Sequence, residues 1–231
     1  MKQKTSMILV RHGESEWNKK NIFTGWTDIP LSDNGIKEAK KVGKILKKNK
    51  FFFHLGYTSY LKRAIWTLWY ILEEMNLCWI PIKKNWRLNE RHYGFLQGLN
   101  KVSIEEQYGS KQFSLWRRSF STKPPKCSQK SYDIIKNDQK YSNVNKNNIP
   151  FTESLEDTLL RVKKYWKKEI KPKILEKNKI IIAAHGNSIR AIIKLLANLN
   201  EIEIMKLEIP TGRPILCEFD TKCNYLQHRY I

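Results

Sequence analysis

Apolar runs and amphipathic stretches alternate along the chain. Residues 7–10 and 180–184 are short, continuous apolar runs that end at loop signals, a pattern typical of buried strands. Weaker patterns predict four further strands, at residues 51–58, 80–82, 213–219 and 225–230. We expect the last two of these strands to pair as a hairpin.

Three helices are predicted beside these strands. Ser32 is a favourable N-cap for the first, which runs to about Lys48. The second covers residues 61–75, and the third begins after His185 and ends near Ala197. Strands that alternate with helices in this way predict an α/β layered fold with a mostly parallel sheet.

The second predicted helix is apolar on more than one side. Aliphatic residues form one stripe at helical spacing, whereas Trp66, Trp69 and Tyr70 lie off that stripe. A helix of this kind is typically buried twice, once against the core and once against another subunit. We therefore expect a homodimer or a larger homo-oligomer.

Length and composition indicate a globular protein. The chain has 231 residues, of which 41% are hydrophobic, so it is too apolar to be disordered. We expect residues 1–231 to form a single domain. A chain of this size buries about 70% of its unfolded surface, which provides one large core without a disulfide or a structural metal.

Charge and cysteine usage limit the expected partners and compartment. A formal net charge of +21 is typical of nucleic-acid binders, but the lysines are spread over every predicted helix face and loop. We therefore expect no nucleic-acid partner. No apolar stretch is long enough for a membrane span. The four cysteines form no Cys-x-x-Cys pair and no export signal is present, so reduced thiols and a cytoplasmic protein are expected.

Two histidines occur in the same local setting. In both 7–15 and 180–188, an apolar run is followed by His-Gly and then, after one residue, by Ser. Ligands of open α/β sheets bind outside the carboxyl ends of the strands, so we expect His12 and His185 to face one pocket. The glycine after each histidine allows close backbone approach, and a helix that begins at residues 187–188 favours a bound anion.

Arginines near these strand ends indicate a phosphate ligand. Arg11 and Asn18 supply donors around His12, and Arg63 lies where another strand gives way to a helix. No Gly-x-x-x-x-Gly-Lys loop is present, so side chains as well as backbone would hold the phosphate. A surface ion pair is the alternative interpretation for any one of these arginines.

One carboxylate stands out among donors further along the chain. If Glu90 faces the same pocket, it can both give and take a proton, although a solvated turn is the alternative for this segment. Lys101, Arg117 and Arg118 are cations that could hold a substrate carboxylate or a second phosphate. Metal binding is not expected, because no carboxylate cluster or close histidine pair accompanies these residues.

Eight sequence blocks occur in order along nearly the whole chain. They are Leu9-Val-Arg-His-Gly-Glu-Ser-Glu-Trp-Asn18, Phe23-Thr-Gly-Trp26, Tyr57-Thr-Ser59 with Leu61-Lys-Arg-Ala64, Leu88-Asn-Glu-Arg-His-Tyr-Gly94, Leu96-Gln-Gly-Leu-Asn-Lys101, Trp116-Arg-Arg118, Ala184-His-Gly-Asn-Ser188 and Ile209-Pro-Thr-Gly212. Together these blocks resemble the cofactor-dependent phosphoglycerate mutases of the histidine phosphatase superfamily. The block around Glu90 and the paired arginines resemble the mutase branch in particular.

The resemblance implies a three-layer αβα sandwich and an enzyme that interconverts 2-phosphoglycerate and 3-phosphoglycerate in glycolysis and gluconeogenesis. It implies a phosphohistidine at His12, with 2,3-bisphosphoglycerate as the priming cofactor and no metal. His185, Arg11 and Arg63 would stabilise the transferring phosphoryl group, and Glu90 would shuttle the proton. The substrates would be small phosphorylated three-carbon acids, bound by Arg11, His12, Gly13, Glu14, Ser15, Glu16, Trp17, Asn18, Thr24, Gly25, Arg63, Glu90, Arg91, His92, Tyr93, Lys101, Arg117, Arg118, Gly186 and Asn187.

Two departures from the family pattern affect these expectations. Members usually continue beyond the position of Ile231 into a Lys-containing tail that closes the site, and without that tail we expect more phosphate to be lost to water. Ile135-Lys136-Asn137 stands where Pro-Gly-His is expected, which leaves the conformation of residues 127–148 open. The alternatives to a mutase are a hydrolase of small phosphoesters and a basic nucleic-acid-binding module without catalysis.

Overall fold

Six strands form one sheet in the computed structural model, which describes residues 5–231. The strands are β1 (Thr5–Arg11), β2 (Leu55–Thr58), β3 (Ile82–Lys84), β4 (Ile180–Ala184), β5 (Ile215–Phe219) and β6 (Tyr225–Tyr230). Their order across the sheet is β3-β2-β4-β1-β5-β6. The first four in that order run parallel, and β5 and β6 add an antiparallel hairpin at one edge, so the mostly parallel sheet is confirmed.

Nine α-helices connect and cover the strands within this part of the chain. They are α1 (Glu16–Lys19), α2 (Asp33–Lys48), α3 (Lys62–Glu74), α4 (Lys101–Arg118), α5 (Gln129–Lys136), α6 (Leu155–Tyr165), α7 (Lys171–Leu175), α8 (Gly186–Ala197) and α9 (Glu201–Lys206). A π-helical turn, Trp166–Ile170, joins α6 to α7. None of the helices described is both long enough and apolar enough to cross a membrane.

Helices cover both faces of the sheet. Met7 and Leu9 of β1 pack in one apolar cluster with residues of α6, α7 and α8. Ile8 and Val10, which point to the opposite face, pack in a second cluster with residues of α2 and α3. Because β1 is buried on both faces, its sequence is a continuous apolar run rather than an alternating one. The expected three-layer αβα arrangement is confirmed.

The predicted elements are present, and several strand boundaries are shifted: β1 is longer than predicted, and β2, β3 and β5 begin later. Residues 51–54 were expected in β2, but the strand begins at Leu55, because this residue lies opposite Ile180, where its neighbour β4 begins. The third strand was expected at residues 80–82 and instead begins at Ile82. Pro81 precedes it and has no N–H for the strand ladder, although its carbonyl accepts a hydrogen bond from the Gly56 N–H.

Several helices were not predicted from the apolar pattern. α5 and α9 are too short to show a clear helical period. α6 does have a local signal, since Ser154 and Asp157 form a reciprocal capping box at its start. In the segment with the altered Pro-Gly-His position, residues 129–136 form α5, and Asn137 is the C-cap of this helix.

The loop after β1 is fastened to the start of α2. The Ser32 side chain accepts the Gly35 N–H and caps α2, while the Ser32 N–H donates to the Glu14 carbonyl. A Cβ added at Gly35 would lie 2.0 Å from the Glu14 carbonyl oxygen, closer than any real carbon contact. Loop and helix can therefore approach this closely only with glycine at this position.

We predict that Gly35→Ala lowers both stability and activity. The added methyl group must displace the loop that follows His12, at a cost of about 2–3 kcal/mol in the free energy of unfolding. Denaturant unfolding of the variant measures this loss. Lys37→Ala, an exposed change two residues further along the same helix, is the matched control and should have little effect. A Gly35→Ala protein as stable as the wild type would contradict the close approach.

Candidate active site

The two histidines lie side by side at the carboxyl end of the sheet. β1 and β4 pair in parallel from Met7 opposite Ile180 to Arg11 opposite Ala184, so each histidine follows its strand at the same level. The His12 N–H donates to the Ala184 carbonyl at 2.9 Å, which extends the ladder by one bond. The ring centroids of His12 and His185 are 4.9 Å apart, and both side chains are buried.

The surroundings of His12 determine which of its nitrogens carries the hydrogen. Nδ1 lies 2.7 Å from the Gly13 carbonyl oxygen, which can only accept, so Nδ1 must be the donor. Nε2 accepts a 3.3 Å hydrogen bond from Arg63 Nε. Burial first, and then the charges of Arg63 and Arg11, hold the pKa of His12 well below 6.5. His12 is therefore neutral, with its lone pair on Nε2, as a nucleophile requires.

Arg63 is held in place by the backbone of a neighbouring loop. Its side chain is completely buried at the start of α3. The two terminal nitrogens donate to the carbonyls of Thr27 at 2.9 Å and Gly25 at 2.7 Å, which leaves Nε for His12. Burial lowers the pKa of Arg63 to about 10, so the guanidinium remains charged at neutral pH beside the nucleophile.

One oxygen of the Glu90 carboxylate is anchored and the other is available. Oε1 accepts the Arg91 N–H at 2.8 Å, the Asn187 N–H at 3.1 Å and the Asn187 side-chain amide at 2.9 Å. Within residues 5–231, no donor lies within hydrogen-bond distance of Oε2. The backbone amide of Asn187, expected from the sequence to face an anionic ligand, thus binds this carboxylate instead. The available Oε2 gives Glu90 the geometry of a proton carrier.

A buried ion pair holds the backbone that carries Glu90. Arg161 Nε donates to Glu153 Oε1 at 2.7 Å, and a terminal nitrogen of Arg161 donates to Oε2 at 2.9 Å. The same guanidinium donates to the Glu90 carbonyl at 2.9 Å, which also accepts the Trp26 indole N–H at 2.7 Å. Neither Arg161 nor Glu153 was among the residues predicted. No sequence motif distinguishes them from the many charged residues that lie on protein surfaces.

These groups surround a cavity of about 320 Å³ that is rich in cations. Among the described residues, six cationic side chains and only two carboxylates line it. This excess of positive charge favours an anionic ligand with several charges. Thirteen of the predicted site residues lie in the lining: Arg11, His12, Asn18, Thr24, Gly25, Arg63, Glu90, Tyr93, Lys101, Arg117, Arg118, Gly186 and Asn187. Sequence reasoning missed six others: Ile22, Phe23, Arg190, Glu208, Ile209 and Pro210.

Several arginines in and behind the cavity are held by carbonyl and carboxylate groups. Arg118 pairs with Glu208 at 3.0 Å, and Arg190 Nε donates to the Leu207 carbonyl at 2.7 Å. Arg91 lies behind the cavity, completely buried, where it donates to the carbonyls of Trp116 and Arg117 at 2.9 Å each. Arg91 thus fixes the end of α4, from which Arg117 and Arg118 reach the cavity.

The remaining predicted site residues lie outside the lining, and substrate binding by them stays a prediction. Ser15 caps α1, and the Glu14 side chain accepts from the Ser32 hydroxyl at 2.7 Å. Glu16 is the first residue of α1, and the Trp17 ring would lie 3.6 Å from a Cβ added at Gly98. The others are buried behind the cavity: Gly13, Arg91, His92 and His185. No group of three or more potential metal ligands occurs in the described part of the chain.

Comparison with known proteins agrees with this fold and indicates its family. Residues 7–137 match the model of the histidine phosphatase superfamily, branch 1. A 2,3-bisphosphoglycerate-dependent phosphoglycerate mutase of Blochmanniella pennsylvanica is 55% identical over 228 residues, 98% of each chain. The mutase of the same description from Wigglesworthia glossinidia brevipalpis is 55% identical over 215 residues, 93% of this chain and 92% of the other.

Solved structures show the same fold at lower identity. A phosphoglycerate mutase from Bacillus anthracis superposes with a TM-score of 0.70 at 20% identity, covering 100% of this chain and 93% of the other. An α-ribazole phosphatase from Shigella flexneri gives a TM-score of 0.69 at 19% identity, covering 96% and 94%. Fold and site thus define a histidine phosphatase of branch 1. Within that superfamily, the chain belongs to the family of the 2,3-bisphosphoglycerate-dependent phosphoglycerate mutases.

We predict that the free energy of unfolding falls as the pH drops from 7 to 5.5. Burial lowers the pKa of His92 to about 3, and the pKa values of His12 and His185 also lie well below 6.5. Below about pH 6.5 the unfolded chain takes up protons that the folded chain does not. The free energy of unfolding then falls by about 1.4 kcal/mol for each of these histidines and each pH unit. The stabilisation is therefore complete above pH 6.5 and lost below it.

Denaturant unfolding across this pH range measures the loss. His92→Gln removes one of the three titrations and should make the slope shallower by about a third. The control is Gln107→Ala, an exposed change that removes no titratable group and should leave the slope as it is. A free energy of unfolding that does not change between pH 7 and pH 5.5 would show that the three histidines are not held neutral.

Proposed function

We propose that this protein interconverts 2-phosphoglycerate and 3-phosphoglycerate through a phosphohistidine at His12, as a step of glycolysis and gluconeogenesis. The relatives that are 53–55% identical are 2,3-bisphosphoglycerate-dependent phosphoglycerate mutases. The observation that carries the proposal is the neutral His12, with its lone pair on Nε2, in a cation-lined cavity shared with the available oxygen of Glu90. One group accepts the phosphoryl and the other moves the proton.

The donor set fits 2,3-bisphosphoglycerate as the cofactor. This molecule carries two phosphates and a carboxylate, and six cationic side chains line the cavity. Two buried polar atoms of the site, Arg11 Nε and His185 Nδ1, have no hydrogen-bond partner in residues 5–231, and an anionic oxygen would satisfy such atoms. Arg11, Arg63, Lys101 and Arg117 would hold the charged groups. When bound, the cofactor supplies the phosphoryl group that primes His12.

The protein's own groups account for phosphoryl transfer. His12 Nε2 provides the lone pair, while Nδ1–H remains on the Gly13 carbonyl and stabilises the positive ring that forms when Nε2 is substituted. Arg63 and Arg11 then offset the added negative charge. Positioning and charge stabilisation are the main contributions to phosphoryl-transfer catalysis, which explains why several buried donors surround one nucleophile.

Proton transfer falls to Glu90. Its Oε1 is fixed by three N–H donors, so the carboxylate keeps one orientation while Oε2 takes the proton from a substrate hydroxyl and returns it. The three-carbon acids expected as substrates present such a hydroxyl next to the phosphorylated position. A fixed carboxylate of this kind typically contributes on the order of 10² to 10⁴ in rate.

We predict cofactor-stimulated isomerisation of 3-phosphoglycerate to 2-phosphoglycerate that is faster than the release of phosphate. Both products are followed in one tube, with and without added 2,3-bisphosphoglycerate. His12→Ala should abolish isomerisation because the phosphoryl acceptor is removed. The exposed His54 provides the control, since His54→Ala should retain activity. A fully active His12→Ala enzyme would contradict the mechanism, and phosphate release without isomerisation would indicate a phosphatase.

We predict that Glu90→Gln slows isomerisation by about two orders of magnitude or more while the fold stays intact. Glutamine can still accept the N–H groups that hold Oε1, but its other end is an amide that takes no proton. Steady-state kinetics measure the loss, and unfolding curves check the fold. Glu106→Gln, on the exposed face of α4, is the control and should be close to wild type. Unchanged turnover in Glu90→Gln would show that Glu90 does not transfer the proton.

We propose further that residues 1–231 form one domain and that the protein is a cytoplasmic homodimer. All four cysteines are free, as expected in a reducing compartment. Two aromatic side chains of α3 are exposed, Trp66 by 51% and Trp69 by 39%, on a helix that packs against α2, β2 and β4. Exposed aromatic side chains on one helix are typical of protein interfaces, and a second copy of this chain is the expected partner.

We predict that Trp66→Glu converts the dimer to a monomer, because a charge would be placed in the apolar contact. Analytical ultracentrifugation at several protein concentrations measures the change in mass. Ile202→Glu, at an exposed position on α9, is the control and should leave the dimer intact. A wild-type protein that sediments as a monomer at all concentrations would rule out this interface.

A further inference from the structure

Ser59 has a role that the catalytic set described above does not include. It follows β2 directly, and its side chain is completely buried. The hydroxyl oxygen lies 2.8 Å from His185 Nε2 and accepts the Leu61 N–H at 3.1 Å. Ser59 therefore connects the start of α3, which carries Arg63, to the histidine that follows β4.

The hydrogen-bond arrangement of Ser59 distinguishes the two tautomers of His185. Burial first, and then the charge of Arg63, hold the pKa of His185 well below 6.5, so its ring is neutral and carries one N–H. If Nε2 carried that hydrogen, the hydroxyl hydrogen of Ser59 would have no acceptor in the described structure, because its oxygen contacts only Leu61 N and His185 Nε2. A buried donor without a partner costs about 1–3 kcal/mol.

The other tautomer satisfies every group of Ser59. Its hydroxyl donates to His185 Nε2 and its oxygen accepts from Leu61, so the histidine hydrogen stands on Nδ1. Nδ1 is buried and has no partner among residues 5–231. The histidine ring lies against that of His12, with 4.9 Å between centroids. An N–H donor is thus left unpaired beside the nucleophile.

We propose that Ser59 is a positioning residue that fixes the Nδ1–H tautomer of His185 and thereby presents an N–H donor to an oxygen of the phosphoryl group on His12. The tautomer follows from the hydrogen bonds of Ser59 and the burial of the ring, whereas its use in catalysis rests on the proposed function. Ser59 touches neither the substrate nor the reacting atoms in this account. It acts only through the ring of His185.

Nitrogen NMR of the ¹⁵N-labelled wild-type protein tests the tautomer without any ligand or turnover. Long-range proton–nitrogen correlations distinguish a protonated Nδ1 from a protonated Nε2 in a neutral imidazole. His185→Asn identifies the signals of this ring among the five histidines. We expect Nδ1–H in the wild type and a shift toward Nε2–H in Ser59→Ala. Nε2–H in the wild type, or the same tautomer in both proteins, overturns the proposal.

Thr58→Val is the matched control for the loss of a buried hydroxyl. Thr58 is the preceding residue and is equally buried, but its hydroxyl has no hydrogen-bond partner among the described residues. Valine has nearly the same shape, so the His185 tautomer should stay as in the wild type. A tautomer change in Thr58→Val equal to that in Ser59→Ala would show that the ring responds to general disturbance, which overturns the specific role of Ser59.

Kinetics test the consequence for catalysis. We expect Ser59→Ala to lower kcat about tenfold or more with little change in KM, since the lost donor acts on the transferring group. In a His185→Asn background the same change should have no further effect, because Ser59 acts through that ring. Additive losses overturn the proposal. If the wild type has the Nδ1–H tautomer but no mutase activity, the proposed function is contradicted and the assignment of the tautomer still holds.

Discussion

The parallel pairing of β1 with β4 is the interaction on which the site depends. It brings two segments from opposite ends of the chain into register, and the ladder continues through the His12 N–H to the Ala184 carbonyl. Both histidines are thereby placed at the same edge by backbone hydrogen bonds, before any side-chain contact is considered. Since both strands are buried on both faces, a one-residue shift of register would move each side chain into the opposite apolar cluster, where the packing does not fit it, so packing keeps the histidines aligned.

Around this pair, the protein keeps histidines neutral first by burying them and then by placing buried cations beside them. Burying an arginine is unfavourable unless most of its donors find acceptors, and backbone carbonyls supply many of the acceptors here. Arg63 binds two loop carbonyls, Arg91 binds two at the end of α4, and Arg161 binds Glu153 and the backbone of the Glu90 segment. The result is a site whose charges are fixed before a phosphate arrives, as electrostatic preorganisation requires.

The main features of the fold are visible in the sequence because they follow local patterns. Continuous apolar runs indicate β1 and β4, and the His-Gly that follows each run indicates that the two histidines lie together at the carboxyl end of the sheet. Strand boundaries were less accurate, because β2 can begin only where β4 offers a partner. The Arg161–Glu153 pair and the contact of Ser59 with His185 join residues that only tertiary packing brings together, so no spacing in the sequence indicates them.

The claim at the centre of this account is that the surroundings of His12 leave Nε2, and not Nδ1, as the nucleophile. The most direct measurement is phosphorus and nitrogen NMR of the ¹⁵N-labelled protein after reaction with 2,3-bisphosphoglycerate, which reports the nitrogen that carries the phosphoryl group. The account requires one phosphohistidine, at His12, substituted on Nε2. Phosphorus on Nδ1 of His12, or on another residue, would contradict it.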